Sequence, residues 1–375
     1  MKNVQLMDLY SDYLLTNFEY STATGMSKML DDSYSHDQIS RFLAQPALGQ
    51  KDYWKSIKPL IRQIEQENGV ICVDDFIVPK PHSTENDIIN YHFDHTKNEN
   101  VKGINIISFL YYSPITNEQS IQLPISYEIV TKPIKFKDAK TGNEKRKSEI
   151  TKNEIVRQRL EFLTLRNHVK YRYILWDTWF SSNENFEIVE KKLKRYFVAA
   201  VKSNRLVALS WSDKLQGKFK RVDELNYQST DRLQVWIKGL DFPVYLTKQI
   251  FTNKDNSKGE LYLVSNDKEL TAEEQNTIYQ VRWKVEEFHK SAKQNASLGK
   301  SPTKYELTQS NHIFCSMISV CKLELLKIKH KKNHFAIKAQ LYLKAVIAVF
   351  EQLQYLKSMN NIALPYCQQN MPLLA

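Results

Sequence analysis

Tyr279, Arg282, Glu286 and Lys293 are spaced to act together. On a helix turning about 100° per residue they fall within an arc of about 60°, with Val281, Val285, Phe288 and Ala292 on the other side. One face is thus directed at a core, and the other sets a carboxylate among cations and a phenol. That set suits a phosphate ester held over a metal ion. Arg282 can grip a phosphate with two parallel hydrogen bonds, Lys293 is a point cation, Tyr279 offers a hydroxyl donor and Glu286 is a hard oxygen ligand. The same face also reads as a solvated one, where Arg282, Glu286 and Lys290 pair at four-residue spacing for roughly 0.2–0.5 kcal/mol each.

Two other acidic positions bear on that choice. The apolar run Gly69-Val70-Ile71-Cys72-Val73 passes into Asp74-Asp75-Phe76, and Tyr173-Ile174-Leu175-Trp176 passes into Asp177 ahead of a helical segment. Side chains alternate along a strand, so only one of Asp74 and Asp75 faces a given side. Asp177 reads either as a metal ligand or as a cap on the helix that follows. Breaking a phosphodiester requires the attacking water, the leaving oxygen and the charge between them to be stabilised, which two Mg2+ ions about 4 Å apart accomplish. Three converging carboxylates are a sufficient protein contribution to such a pair.

The pattern Tyr279-x-x-Arg282-x-x-x-Glu286-x-x-x-x-x-x-Lys293 resembles the signature of the insertion-sequence-four family of bacterial cut-and-paste transposases. The resemblance implies an α/β, ribonuclease-H-like core with one aspartate after the first strand, one after the fourth and a glutamate on a later helix. Asp74, Asp177 and Glu286 occupy those places, and would be both the catalytic residues and the ligands of two Mg2+ ions, with Mn2+ as a substitute. It further implies that Tyr279, Arg282 and Lys293 grip the transposon end, while Trp283 either stacks on an unpaired base or belongs to the core. Similar transposases often show Asp-x-Thr at the first aspartate. Phe76 stands in the third position here, which keeps Asp75 open as the alternative to Asp74 and raises the question of whether this copy is active. The implied activity is cleavage at transposon ends followed by strand transfer, by a homodimer on double-stranded DNA with terminal inverted repeats and on target DNA. Two other readings compete: a DNA-binding protein or decayed transposase without catalysis, and a general nuclease of the same fold that would not need Tyr279, Arg282 and Lys293.

The elements that must position these residues can be laid out along the chain. Residues 1–66 read as a helical N-terminal domain, with a capping box at Ser35 and Gln38. Its second and third helices form either a helix-turn-helix that presents His36, Gln38 and Arg41 to a groove or an ordinary hairpin. Residues 67–300 read as the catalytic domain. Strands over 70–73, 104–112 and 121–129 should pair as a meander, followed by a polar, basic loop over 132–152. A helix over 153–169, a strand over 171–175, a helix over 183–193 and a strand over 196–201 come next. A β-rich insertion over about 204–267 precedes the last catalytic helix. A capping box at Thr271 and Glu274 and a stop at Gly299 and Pro302 predict one helix of about 27 residues, roughly 40 Å long. Residues 301–375 read as C-terminal helices over 311–329 and 335–356.

Composition is compatible with this layout. The 375-residue chain carries 53 Lys and Arg against 42 Asp and Glu, a net charge of +11, and the excess favours a polyanionic partner. No stretch approaches the roughly 18 apolar residues of a membrane helix, and Asp8 and Asp12 interrupt the first 15 residues, so neither a membrane nor a secretion signal is expected. Cys72, Cys315, Cys321 and Cys367 form no Cys-x-x-Cys pair, which argues against a disulfide framework or a zinc site and for a reducing cytoplasm, on the nucleoid when DNA is bound. The pair of histidines in His92-Phe93-Asp94-His95 makes a weak zinc motif, better explained as a loop near DNA. Lys80 and the run Lys202-Ser203-Asn204-Arg205 read as exposed polar positions within reach of a DNA backbone.

Overall fold

The computed structural model describes residues 2–94, 98–114, 120–139, 141–252 and 256–359. The chain opens with α1 (Lys2–Thr16), α2 (Ala23–Met29), α3 (His36–Ala44) and α4 (Gln50–Ile64). The expected capping box forms: Ser35 Oγ accepts from the Gln38 N–H, and Gln38 Oε1 accepts from the Ser35 N–H. α2 packs on α3, with His36, Gln38 and Arg41 exposed. These helices have no separate core. Tyr10, Ile39, Tyr53 and Ile57 join one continuous apolar cluster that includes the central sheet and the helix Glu306–His330. From that helix Asn311 donates to the carbonyls of Leu43 and Gln45, and His312 bonds the Tyr10 hydroxyl.

The sheet begins with β1 (Val70–Pro79), β2 (Asn90–Asp94), β3 (Glu99–Pro114) and β4 (Ser120–Ile129). β3 is antiparallel to β1 on one edge, and its other edge carries both β2 and β4. The basic segment after β4 is a separate exposed hairpin, β5 (Ile134–Lys137) and β6 (Glu144–Lys147), turning at Gly142 with φ +69°. α5 (Lys152–Glu161) runs on through a wide turn at Phe162–Arg166 to β7 (Tyr173–Trp176). α6 (Asn183–Glu187) then leads to β8 (Tyr196–Val201). β1, β7 and β8 are parallel. An antiparallel set followed by two parallel strands is compatible with the expected ribonuclease-H-like core.

β1 does not stop at its acids. It continues to Pro79 against β3, whereas its pairing with β7 ends at Cys72↔Leu175. Asp74 and Asp75 therefore sit where the parallel neighbour has run out, and Asp177 follows β7 at the same edge. A crevice beyond the carboxyl ends of parallel strands is where α/β sheets commonly bind ligands.

The β-rich segment contains β9 (Leu206–Ala208), α7 (Trp211–Leu215), β10 (Lys220–Arg221), β11 (Leu233–Ile237), β12 (Val244–Thr252) and β13 (Lys258–Ser265). It does not stand apart from the core. β13 pairs antiparallel with β8, so the order β10-β9-β11-β12-β13-β8-β7-β1-β3-β2 forms one sheet, with β4 also on β3. The free edge of β8 is an unpaired ladder, and the hydrophobic strand Lys258–Ser265 satisfies it.

The expected single helix is two, α8 (Ala272–Gln280) and α9 (Trp283–Asn295). Between them the bonds tighten to three-residue spacing: Val281 N to Ile278 O, Arg282 N to Tyr279 O and Val285 N to Arg282 O. Such a turn changes the rotation per residue and so the faces that follow. α9 stops before Gly299, at Ser297 in the left-handed region (φ +54°), with Leu298 N closing back on Ala292 O. α10 (Glu306–His330) and α11 (His334–Met359) complete the described chain. α11 leaves Leu343, Ile347, Phe350 and Leu353 exposed. No helix among the described residues is long and apolar enough to cross a membrane.

Candidate active site

Asp74 and Asp75 of β1, Asp177 after β7 and Glu286 of α9 line one open cleft of about 680 Å³. The two adjacent aspartates are in different surroundings. Asp75 Oδ2 accepts from Lys152 Nζ at 2.7 Å and from Asn105 Nδ2 at 2.6 Å. Asp74 Oδ2 faces Arg282 Nη1 at 3.4 Å, and the same nitrogen lies 3.5 Å from Glu286 Oε1. Burial, and then the charge of Asp177, push the Asp74 carboxyl up to about 8, with Arg282 opposing and Glu286 and Asp75 adding to the rise. Burial also raises Asp177, although the Trp179 N–H bond to its Oδ1 and the Arg282 charge oppose it. The capping reading of Asp177 is not what this geometry shows, because Ser182 supplies the cap of α6.

On α9, Val285, Phe288 and Ala292 are buried as the spacing predicts, and Glu286 is exposed to the cleft. Trp283 is 62% exposed, outside the core, with the Arg282 guanidinium 5.3 Å from its ring centroid. Lys293 lies on the cleft wall with Nζ 5.1 Å from the centre of the Phe76 ring. Tyr279 departs from the expected open face. It is 5% exposed and packs beneath Arg282, with burial raising its phenol, and the break after Gln280 sets the face of Glu286 apart from it. Lys80 also departs from expectation. Its ammonium is buried, donating to the carbonyls of Gly299 and Ser301, and burial lowers it to about 8.

Phe76 shares the Asp74 face of β1, as two-residue spacing requires. Its ring lies 4.0 Å, centroid to centroid, from the imidazole of His289, a cleft residue that spacing arguments passed over. His289 follows Glu286 by three residues, so its place on the same face is implicit in the helix period. Its Nε2 meets Ser108 Oγ at 2.9 Å, and burial, reinforced by Lys293 and Arg282, holds its pKa well below the ordinary histidine value. No local pattern marks Ser108, which reaches the site because β3 pairs Ser108 with Asp74.

His92 lines the cleft too, buried and lowered to about 3 by burial and by Lys132 and Lys152. Its motif partner His95 lies outside the described residues, as does Cys367. Behind the cleft, and sharing Trp179 as a wall, is a second cleft of about 460 Å³. Its lining includes Lys202, Arg205 and Lys238 and no Asp or Glu.

The donor set fits a hard divalent cation. Three carboxylates converge where charge is costly enough to drive one of them toward its protonated form, and the Arg282 guanidinium stands between two of them as the available cation. Oxygens of Asp74 and Glu286 and a ring nitrogen of His289 lie within 4.8 Å of one another.

Residues 149–321 match the family described as the transposase DDE domain. The matched span holds Asp177, Tyr279, Arg282, Glu286 and Lys293, and leaves Asp74 and the N-terminal helices outside. No curated protein is significantly similar to the chain. The match supports a DDE-type transposase, a nuclease and transposase enzyme that acts on DNA; such enzymes use divalent metals.

Proposed function

We propose that the chain is a cut-and-paste transposase of the insertion-sequence-four type, with Asp74, Asp177 and Glu286 as its metal-binding catalytic set. The observation that carries this reading is the convergence of those acids on one cleft from two strand ends and a helix, with Asp74 held near 8. Two Mg2+ ions, or Mn2+ in their place, when bound supply Lewis-acid stabilisation of the attacking and leaving oxygens. With that charge in place Asp74 and Glu286 no longer need Arg282, and its guanidinium is released to hold the scissile phosphate. Lys293 adds a second cation from the same wall. Trp283, exposed beside Arg282, offers a face for an unpaired base. Asp75, committed to Lys152 and Asn105, holds the start of α5 against β1 and β3.

In the first step water adds to phosphorus at the transposon end and the 3′ oxygen leaves with a proton, freeing a 3′ hydroxyl. In the second that hydroxyl attacks a phosphodiester of the target and displaces a target 3′ oxygen. The terminal inverted repeats of the element are the DNA that the cleft must receive. The exposed apolar side of α11 supports a homodimer, since such a surface is otherwise a liability in water.

The test uses DNA from the ends of the element that encodes the chain, incubated with the protein and Mg2+. Nicking at the ends is expected, and Glu286→Gln should bind the same DNA without cutting it. Binding without cutting by the unsubstituted protein would instead support a decayed transposase, and cutting that survives Glu286→Gln would remove this site assignment.

A further inference from the structure

The carboxylate reading leaves two buried histidines of the cleft, His92 and His289, without a task, and His289 is the one beside the acids. His289 is 6% exposed and stands one helical turn beyond Glu286. A ring nitrogen lies within 4.8 Å of the carboxylate oxygens of both Asp74 and Glu286. The ring is fixed by Phe76 against its face and by Ser108 at Nε2.

The contacts of Ser108 provide for one arrangement of the imidazole proton. A serine hydroxyl has one proton to give, and Ser108 Oγ lies 3.2 Å from the main-chain oxygen of Asp74, which can only accept it. With the Ser108 proton on that carbonyl, lone pairs of Oγ face His289 and Nε2 is the donor in the 2.9 Å contact. The neutral ring then carries its hydrogen on Nε2 and an unshared pair on Nδ1. A histidine whose one nitrogen donates to a fixed oxygen, and whose other is unprotonated, is set up as metal-ligating histidines are. The register of β3 contributes directly, because it places Ser108 opposite Asp74 and so couples the first aspartate to the histidine tautomer.

Resting on the reading of this cleft as a divalent-metal site, we propose that His289 is a nitrogen ligand, through Nδ1, to the ion held by Asp74 and Glu286, and that it makes the site favour Mn2+ over Mg2+. Mn2+ accepts an imidazole nitrogen beside carboxylates more readily than Mg2+, which takes oxygen ligands and keeps its waters. Phe76 then has a function in place of the expected threonine: it braces the ligand ring. The residue that raised doubt about activity becomes a support for the site.

The experiment loads the full chain with Mn2+ alone, without DNA, and reads nitrogen coupling to the ion by pulsed electron paramagnetic resonance. Coupling to one nitrogen is expected. It should disappear in His289→Gln and persist in His92→Gln, which removes the other buried histidine of the cleft. Calorimetry should show a roughly 10–100-fold loss of Mn2+ affinity in His289→Gln, with a smaller loss for Mg2+. If His289→Gln fails to fold, Ser108→Ala provides the second arm. It keeps the ring but releases the tautomer, and is expected to weaken Mn2+ binding by about 10-fold. Mn2+ bound with no nitrogen coupling, or coupling lost in His92→Gln instead, would overturn the proposal while leaving the carboxylate site intact. Mn2+ binding that survives both Asp74→Asn and Glu286→Gln would overturn the metal site itself.

Discussion

The cleft of Asp74 and the cleft behind it share Trp179 as a wall, yet they are built on opposite charge. The first sets six acids, Asp74, Asp75, Asp94, Glu149, Asp177 and Glu286, against four bases, Lys132, Lys152, Arg282 and Lys293, and the second lines itself with Lys202, Arg205 and Lys238 and no acid. In a chain of net charge +11 it is the acidic cleft that runs against the whole. Like charges crowded in a partly dry space raise one another's energy, and the Asp74 carboxyl near 8 records that cost. Acids outnumber bases in the first cleft, and the second holds bases alone. On the proposed function, their adjacency would give a phosphate backbone passing over the acidic cleft a place to continue, with the 47% exposed Trp179 ring between them.

Several substitutions would break or sharpen this contrast. Asp74→Asn or Glu286→Gln should lower end cleavage by roughly 10³-fold or more while changing DNA affinity only a few-fold, as measured by gel cleavage and binding assays on one DNA. The converse should hold for Lys202→Glu with Lys238→Glu. DNA affinity should fall by roughly 100-fold at low salt, the slope of log affinity against log salt should flatten by about 2, and Mn2+ binding should be unchanged. If charge reversal in the second cleft left the salt slope intact, that cleft would not carry DNA. Trp179→Ala should weaken binding of single-stranded DNA by about 10-fold, since a base stacked on an aromatic ring contributes roughly 1–3 kcal/mol. Equal binding by the variant would separate the two clefts.

The smallest expected effect is on stability. The Asp74 proton is held up to about 8 in the fold against an ordinary 3.8. Below pH 4 both folded and unfolded chains keep it and nothing is lost. From pH 4 to 8 the unfolded chain releases the proton while the folded chain retains it, so this residue lowers stability as pH rises through that window. Asp74→Asn should therefore stabilise the metal-free protein by roughly 1–3 kcal/mol near pH 8 and by nothing near pH 4, read from denaturant unfolding. Saturating Mn2+ should reverse the order by stabilising only the unsubstituted chain. A variant no more stable than the original at pH 8 would show that the acidic cleft stores no such cost.

Much of this was legible in local sequence. Capping boxes at Ser35 and Thr271 mark helix starts because both partners lie within three residues, and both form. The apolar runs before Asp74 and Asp177 announce strands by composition alone. The period of α9 places Val285, Phe288 and Ala292 inward and Glu286 outward, since each depends only on rotation along one helix. What the tertiary structure decided depends on residues far apart in the chain. Asp75 differs from Asp74 because Lys152, 77 positions away, and Asn105 claim its carboxylate, while Arg282, 208 positions from Asp74, faces the other. Lys80 is buried because the carbonyls of Gly299 and Ser301 are there to receive it. A three-residue turn that no spacing rule contained sets the Glu286 face apart from the buried Tyr279, and the β-rich segment pairs with the open edge of β8. The order of residues determined where strands, helices and acids fall along the chain, because periodicity and capping act over a few residues. Which acid carries a displaced proton, and which histidine stands beside it, was decided by the fold, because electrostatic energy sums over neighbours in space.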